Sequence, residues 1–204
     1  MKIKICGLNP IRDVQECINL KVDFLGFVFY EKSPRNLELE DVKKLNSFNR
    51  KNSSFVAVTV NPSNEFIEKV VINNFDYIQL HGSETHKRVE EIKSMGLKVI
   101  KAIKIQSEKD IYIYKKYDNA DIILFDTPGM EKSIEFPKNL ISKLPLGARY
   151  ALAGSISENN ISNFVKLGVT FFDLSSSLEI NNQIGYKDHQ KIKKFINKVN
   201  EIKN

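Results

Sequence analysis

Eight short runs rich in β-branched and aromatic residues recur along the 204-residue chain at intervals of about 25 residues, and most are followed by apolar residues at helical spacing. The runs are KIKIC (2–6), FLGFVF (24–29), SFVAVTV (54–60), YIQLH (77–81), KVIKAIKI (98–105), DIILFDT (121–127), RYALAG (149–154) and FFDLSSS (171–177). Alternation of this kind builds parallel sheets, because each strand must return to the same edge through a crossover. Eight such units close into a (β/α)8 barrel. That fold typically needs about 250 residues, so this chain must use short loops. A doubly wound open sheet is the alternative, but no G-x-G-x-x-G or P-loop follows any strand. No linker, low-complexity segment or composition shift divides the chain. Residues 1–204 read as one α/β domain, a single (β/α)8 barrel.

Between the strands, NPIRDVQECINL places Pro10 near a helix start and sets Cys17 on the face of Ile11, Val14 and Ile18, which reads as core. LELEDVKKLNSF and SNEFIEKVVINN carry the same period. SETHKRVEEIKSMG opens with a Ser83 cap and stops at Gly96, and SENNISNFVKLG repeats that design from Ser157 to Gly168. In HQKIKKFINKVNEIKN, Ile192, Phe195, Ile196 and Val199 share one face.

Apolar residues make up 42% of the chain and charged residues 27%, enough for a sizeable core in a soluble protein. No run approaches the roughly 18 apolar residues that a membrane span needs, and Lys2 and Lys4 interrupt what would be the apolar part of a signal peptide. A cytoplasmic protein is expected. The two cysteines, Cys6 and Cys17, fit neither a disulfide framework nor a metal-ligand spacing, so no metal site is expected. The net charge of +6 comes from lysines spread over helix faces (Lys43, Lys44, Lys87, Lys115, Lys116, Lys193, Lys194) without interleaved aromatics. That pattern is a solvated surface, not a nucleic-acid track, and its mild positive field suits a small anionic substrate.

In a (β/α)8 barrel the chemistry lies at the C-terminal ends of the strands. Those ends supply Cys6, the loop YEKSPRN with Arg35, Asn61, His81 with Gly82, Asp126, Gly154 with Ser155, and the run Asp173 to Ser177. A thiolate at Cys6 can act as a base, and on position alone it reads equally as a core thiol. Asp126 closes the apolar run IILF. Burial there would raise its pKa and make it an acid, and a cap before Pro128 is the other reading. Arg35 can hold a carboxylate with two hydrogen bonds or simply face solvent. His81 reads as a base or as a packing residue. Gly154, Ser155, Ser175 and Ser176 end strands 7 and 8, where barrels often cradle phosphate.

The segments KICG (4–7), GFVFYEKSPRN (26–36), VTVN (58–61), QLHG (79–82), LFDT (124–127), LAGSISENN (152–160), DLSSSLE (173–179) and GYKDHQKI (185–192) run in one order over nearly the whole chain. Together they resemble the phosphoribosylanthranilate isomerase family of tryptophan biosynthesis. The resemblance implies a cofactor-free Amadori rearrangement on a (β/α)8 barrel. It implies Cys6 as the base that removes the sugar C2 proton and Asp126 as the acid that helps open the ring. It also implies Arg35 on the anthranilate carboxylate, Asp173 on the sugar hydroxyls, and Gln79 and His81 of QLHG at the substrate, in a monomer or homodimer. Three departures concern phosphate affinity. TPGMEKSIEF after strand 6 is shortened and lacks a glycine pair, although Lys132, Ser133, Glu135 and Phe136 match its end, and serines replace glycines at Ser155 and Ser177. A related isomerase of histidine biosynthesis shares the barrel and the chemistry but generally has aspartate where Cys6 stands. A degenerate, non-catalytic sugar-phosphate-binding barrel is the other class.

Overall fold

A computed structural model describes residues 1–9, 11–127 and 136–203. The expectations for Pro10 and for the loop residues Pro128, Lys132, Ser133 and Glu135 lie outside the described residues.

All eight expected strands are present: β1 (Lys2–Cys6), β2 (Phe24–Phe29), β3 (Ser54–Thr59), β4 (Tyr77–Leu80), β5 (Lys98–Lys104), β6 (Ile122–Asp126), β7 (Tyr150–Leu152) and β8 (Phe171–Leu174). They are parallel and adjacent in sequence order, and β8 pairs with β1 to close the barrel. β1 and β6 are therefore separated by β7 and β8 on the shorter arc. Most strands stop short of the residues first read as their ends. Val60, His81, Thr127, Gly154 and Ser175 to Ser177 are loop residues or turns, which frees them to line the mouth.

Helices cover the outside: α1 (Ile11–Asn19), α2 (Leu39–Leu45), α3 (Asn64–Phe66, continued by a π-helical turn over Ile67–Val71), α4 (His86–Ser94), α5 (Glu108–Ile111, continued by a 3-10 turn over Tyr112–Tyr117), α6 (Lys138–Ile141), α7 (Ile161–Lys166) and α8 (His189–Lys203). Cys17 is buried under α1, and α8 buries the four residues expected of it. Two caps differ from expectation. Thr85, not Ser83, caps α4 by accepting the Arg88 N–H, because the Ser83 amide and hydroxyl both donate to Asn61 Oδ1. Ser157 does not start α7. Its carbonyl accepts from Asn160 and Ile161, and the helix begins at Ile161. Gly96 and Gly168 end their helices at φ +90° and +89°, as expected.

After β8 the chain makes an antiparallel hairpin, β9 (Glu179–Ile180) with β10 (Gln183–Lys187), which the periodicity did not suggest.

Side-chain parity sorts the strands into two shells. Phe24, Val28, Val56, Val58, Ile100, Ala102, Ile122, Leu124, Ala151, Ala153 and Phe171 fill the barrel interior. Alternate residues such as Ile3, Ile5, Leu25, Phe27, Phe55, Ile78, Ile123 and Phe172 pack beneath the helices. In β1 the usual sense of an alternating strand is inverted. Ile3 and Ile5 face the helices, while Lys4, only 1% exposed, points inward with Cys6.

Candidate active site

All ten residues selected from the sequence, Cys6, Arg35, Gln79, His81, Asp126, Gly154, Ser155, Asp173, Ser175 and Ser176, line one cleft of about 720 Å³ at the C-terminal mouth. Cys6, Gln79, His81, Asp126, Asp173 and Ser175 share the inward parity of their strands, which is why they converge.

On the β1–β8 side, Lys4 Nζ lies 2.8 Å from Asp173 Oδ2, and both side chains are almost fully buried. The two residues are register partners across the β1–β8 pair. Cys6 pairs with Gly26 of β2, and a Cβ at Gly26 would lie 3.1 Å from both the Cys6 Sγ and the Lys4 Nζ. The glycine therefore makes the space in which thiol and ammonium meet. Gly7 follows at φ +74° beneath the Arg35 stem, where a Cβ would come within 2.5 Å of Arg35 Cδ. Its N–H and that of Leu8 bind the Gly26 carbonyl, and Ser175 Oγ donates to the Cys6 carbonyl. Burial pushes the Cys6 thiol up, Lys4 pulls it down, and burial prevails. Burial also acts against the Lys4 ammonium, but Asp173 and Cys6 outweigh it and hold Lys4 above its usual range. For Asp173, burial raises the pKa against the opposing pull of Lys4. Asp173 Oδ1 is buried without a hydrogen-bond partner among the described residues, which leaves it able to accept from a bound molecule.

On the β4–β6 side, His81 Nε2 sits 3.2 Å from Asp126 Oδ2, and the Thr127 N–H donates to Asp126 Oδ1. On the other side of the ring, the Gln79 side-chain amide nitrogen lies 3.5 Å from His81 Nδ1. The Asp126 side chain keeps 22% of its exposure, and what distinguishes it is the imidazole held against it. Gln79 Oε1 is a second buried acceptor without a partner among the described residues.

Arg35 does not stand free. Its Nε and Nη2 donate to Glu179 Oε1 and Oε2 at 2.7 and 2.8 Å, a bidentate pair formed with the β9 end of the hairpin. A guanidinium has five donors, so the Nη1–Nη2 fork is left for a ligand carboxylate. Glu179 is held in turn by Lys187 Nζ at 3.1 Å, and Lys187 also donates to the Ser175 carbonyl. Burial would raise the Glu179 pKa, but Arg35 and Lys187 hold it below the usual range. The Lys187 amide and the His189 ring both reach the fully buried Asp13 of α1, which ties the hairpin to the barrel wall.

At the β7 and β8 ends, Gly154 takes φ +107° and Ser155 φ +47°, so this serine occupies a left-handed conformation that glycine adopts at no cost. Ser155 Oγ is buried and has no partner among the described residues. Ser177 differs, since it lies in the 3-10 turn Ser176–Leu178 with a negative φ, and a side chain there adds no backbone strain.

Sequence reasoning missed Lys4, Glu179, Lys187 and a buried Lys101–Glu84 pair at 2.8 Å that closes the loop beneath His81 and Gly82. For Lys4 the signal was present in its parity with Cys6. The other three depend on tertiary contacts that no local pattern announces, Glu179 with the loop after β2 and with Lys187 across the hairpin, and Lys101 of β5 with the loop after β4.

A closed parallel barrel with ionisable groups converging at its C-terminal mouth defines a TIM-barrel enzyme. Residues 3–198 match the family described as N-(5'phosphoribosyl)anthranilate (PRA) isomerase. The N-(5'-phosphoribosyl)anthranilate isomerase of Petrotoga mobilis is 38% identical over 210 residues, covering 100% of this chain and 99% of the relative. That of Thermoanaerobacter pseudethanolicus is 34% identical over 211 residues, covering 100% of each. The solved phosphoribosyl anthranilate isomerase of Thermotoga maritima has a TM-score of 0.87 at 28% identity, covering 98% of this chain and 99% of that one. A structure of phosphoribosyl anthranilate isomerase in complex with reduced 1-(o-carboxyphenylamino)-1-deoxyribulose 5-phosphate gives 0.84 at 27% identity, with 98% and 99% covered. The chain belongs to the phosphoribosylanthranilate isomerase family.

Proposed function

We propose that residues 1–204 form one catalytic unit that converts N-(5'-phosphoribosyl)anthranilate into 1-(2-carboxyphenylamino)-1-deoxyribulose 5-phosphate, with Cys6 as general base and Asp126 as general acid. The observation that carries the reading is the family match together with the approach of Cys6 and Asp126 to one cleft from non-adjacent strands. Protonated Asp126 gives its proton to the ring oxygen as the C1–O bond breaks, and the nitrogen lone pair forms the C=N bond of a protonated imine. The Cys6 thiolate then takes the C2 proton. That electron pair becomes the C1=C2 bond of an enolamine while the C=N pair returns to nitrogen, and loss of the enol proton with protonation at C1 completes the ketone. Arg35 would meet the anthranilate carboxylate with its remaining fork. Asp173 Oδ1 and Gln79 Oε1 would accept from sugar hydroxyls, and Gly154, Ser155, Ser175 and Ser176 would receive the phosphate.

The test is turnover of freshly generated phosphoribosylanthranilate, followed by loss of its fluorescence, beside the histidine-pathway substrate. Activity on the first alone is expected. Turnover of the second would support the related isomerase, and binding without turnover a non-catalytic barrel. Cys6→Ala and Asp126→Asn should each lower kcat about 10²-fold or more with an unchanged circular dichroism spectrum. Near-wild-type kcat in either variant would remove that residue from the mechanism. Of the solved relatives, the Thermotoga maritima protein is described as dimeric. For this chain the reading allows a monomer or a homodimer, in the cytoplasm. Among the described residues, no helix is long and apolar enough to cross a membrane.

A further inference from the structure

We propose that Lys4 is a positioning residue for Cys6, its ammonium holding the thiolate that the base step requires across the space left by Gly26. The proposal rests on the reading of Cys6 as base. A lysine is an expensive occupant for the inside of a barrel, since a buried ammonium loses its hydration and an apolar side chain of similar size would not. Asp173 compensates the charge, yet among the described residues it takes only one of the three Lys4 donors, at 2.8 Å. Parity turns Lys4 toward the same interior as Cys6, two residues along β1. The point 3.1 Å from both Nζ and Sγ is the position a Cβ of Gly26 would take, so both groups border one small space walled by backbone.

The charges around the thiol are Lys4 from β1, Asp173 from β8 and Lys187 from the hairpin. β2 contributes no charge beside it, only Gly26. Arg35 packs its stem on the neighbouring Gly7 but binds Glu179, and His81 and Asp126 face the cleft from across the mouth. Lys187 is engaged by Glu179 and the Ser175 carbonyl. Lys4 is thus the cation placed to stabilise a negative sulfur. When the thiolate accepts the C2 proton the sulfur becomes neutral, and the Lys4–Asp173 pair remains balanced. No other reactant is required.

The experiment measures the rate at which the uncharged probe iodoacetamide alkylates Cys6 in the folded, substrate-free enzyme, as a function of pH, read by mass spectrometry of the Cys6 peptide. Cys17 is fully buried and serves as an internal control for folding. Wild type is compared with Lys4→Met, with Asp173→Asn, and with the double variant Lys4→Met/Asp173→Asn. The double variant leaves no uncompensated buried charge, so it folds even where Lys4→Met does not. Loss of Lys4 should displace the rate curve to higher pH by about half a unit or more, the net of a smaller thiolate fraction and a more nucleophilic thiolate. Loss of Asp173 alone should displace it the other way. If the double variant reacts along the same curve as Asp173→Asn, Lys4 is only a brace for Asp173 and the proposal is overturned. Because alkylation needs no turnover, this failure is distinct from retention of activity in Cys6→Ala, which would instead remove the base assignment.

Discussion

The guanidinium of Arg35 offers two forks, and Glu179 occupies one of them from 144 positions away in the chain. Two short charged hydrogen bonds orient the plane, so the free fork points one way before any ligand arrives, and the entropy of ordering it is already spent. Glu179 itself is not among the residues lining the cleft. Its most direct route to a ligand is through Arg35, which does line the cleft. Glu179→Gln should raise KM about tenfold while changing kcat by less than about twofold, because the contact is shared by bound substrate and transition state. Steady-state kinetics decides this. Equal losses in kcat and kcat/KM would instead place the hairpin in the chemistry. The sequence made Arg35 legible through its residue type and its loop after a strand. It left Glu179 illegible, since nothing local distinguishes a partner brought in by a hairpin.

The start of α4 shows why element types were easier to read than their ends. Ser83 and Thr85 are both competent caps two residues apart, and propensity does not choose between them. The choice is made by Asn61, at φ +48° after β3, whose Oδ1 takes both Ser83 donors and leaves Thr85 to accept from Arg88. Thr85→Ala should therefore cost about 1 kcal/mol of stability in urea unfolding. Ser83→Ala, which leaves the cap intact, should cost less. The reverse order would mean that Ser83 governs the helix start after all. The hairpin was illegible for a related reason. In β10 the apolar Ile184 and Tyr186 face outward, while Gly185 and Lys187 are buried, so the strand carries no apolar-inward pattern.

At the scale of the whole barrel, alternation along each strand was legible but its direction was not. A parallel barrel has an apolar shell on the outside of its sheet, and its inward positions turn polar toward the mouth. β2 contains this division within three residues. Phe24 lies at the floor, stacked on Phe171 with ring centroids 5.0 Å apart and edge-on to Tyr77 at 5.3 Å. Gly26, the next inward residue, lies at the level of Cys6. Truncating the ring removes buried area and opens a cavity that the closed sheet cannot collapse to fill. Phe24→Ala should cost about 3 to 5 kcal/mol in denaturant unfolding and leave kcat/KM of the folded fraction within about threefold. Gly26→Ala adds one methyl group against Sγ, Nζ and the Cys6 Cα. That substitution should cost less stability, roughly 1 to 3 kcal/mol for overpacking, yet lower kcat by about tenfold or more because it displaces the thiol and the ammonium. Unfolding curves and kinetics on the two variants, prepared side by side, give the answer. A large kcat loss in Phe24→Ala, with Gly26→Ala fully active, would show that the floor and not the mouth sets the geometry of the base.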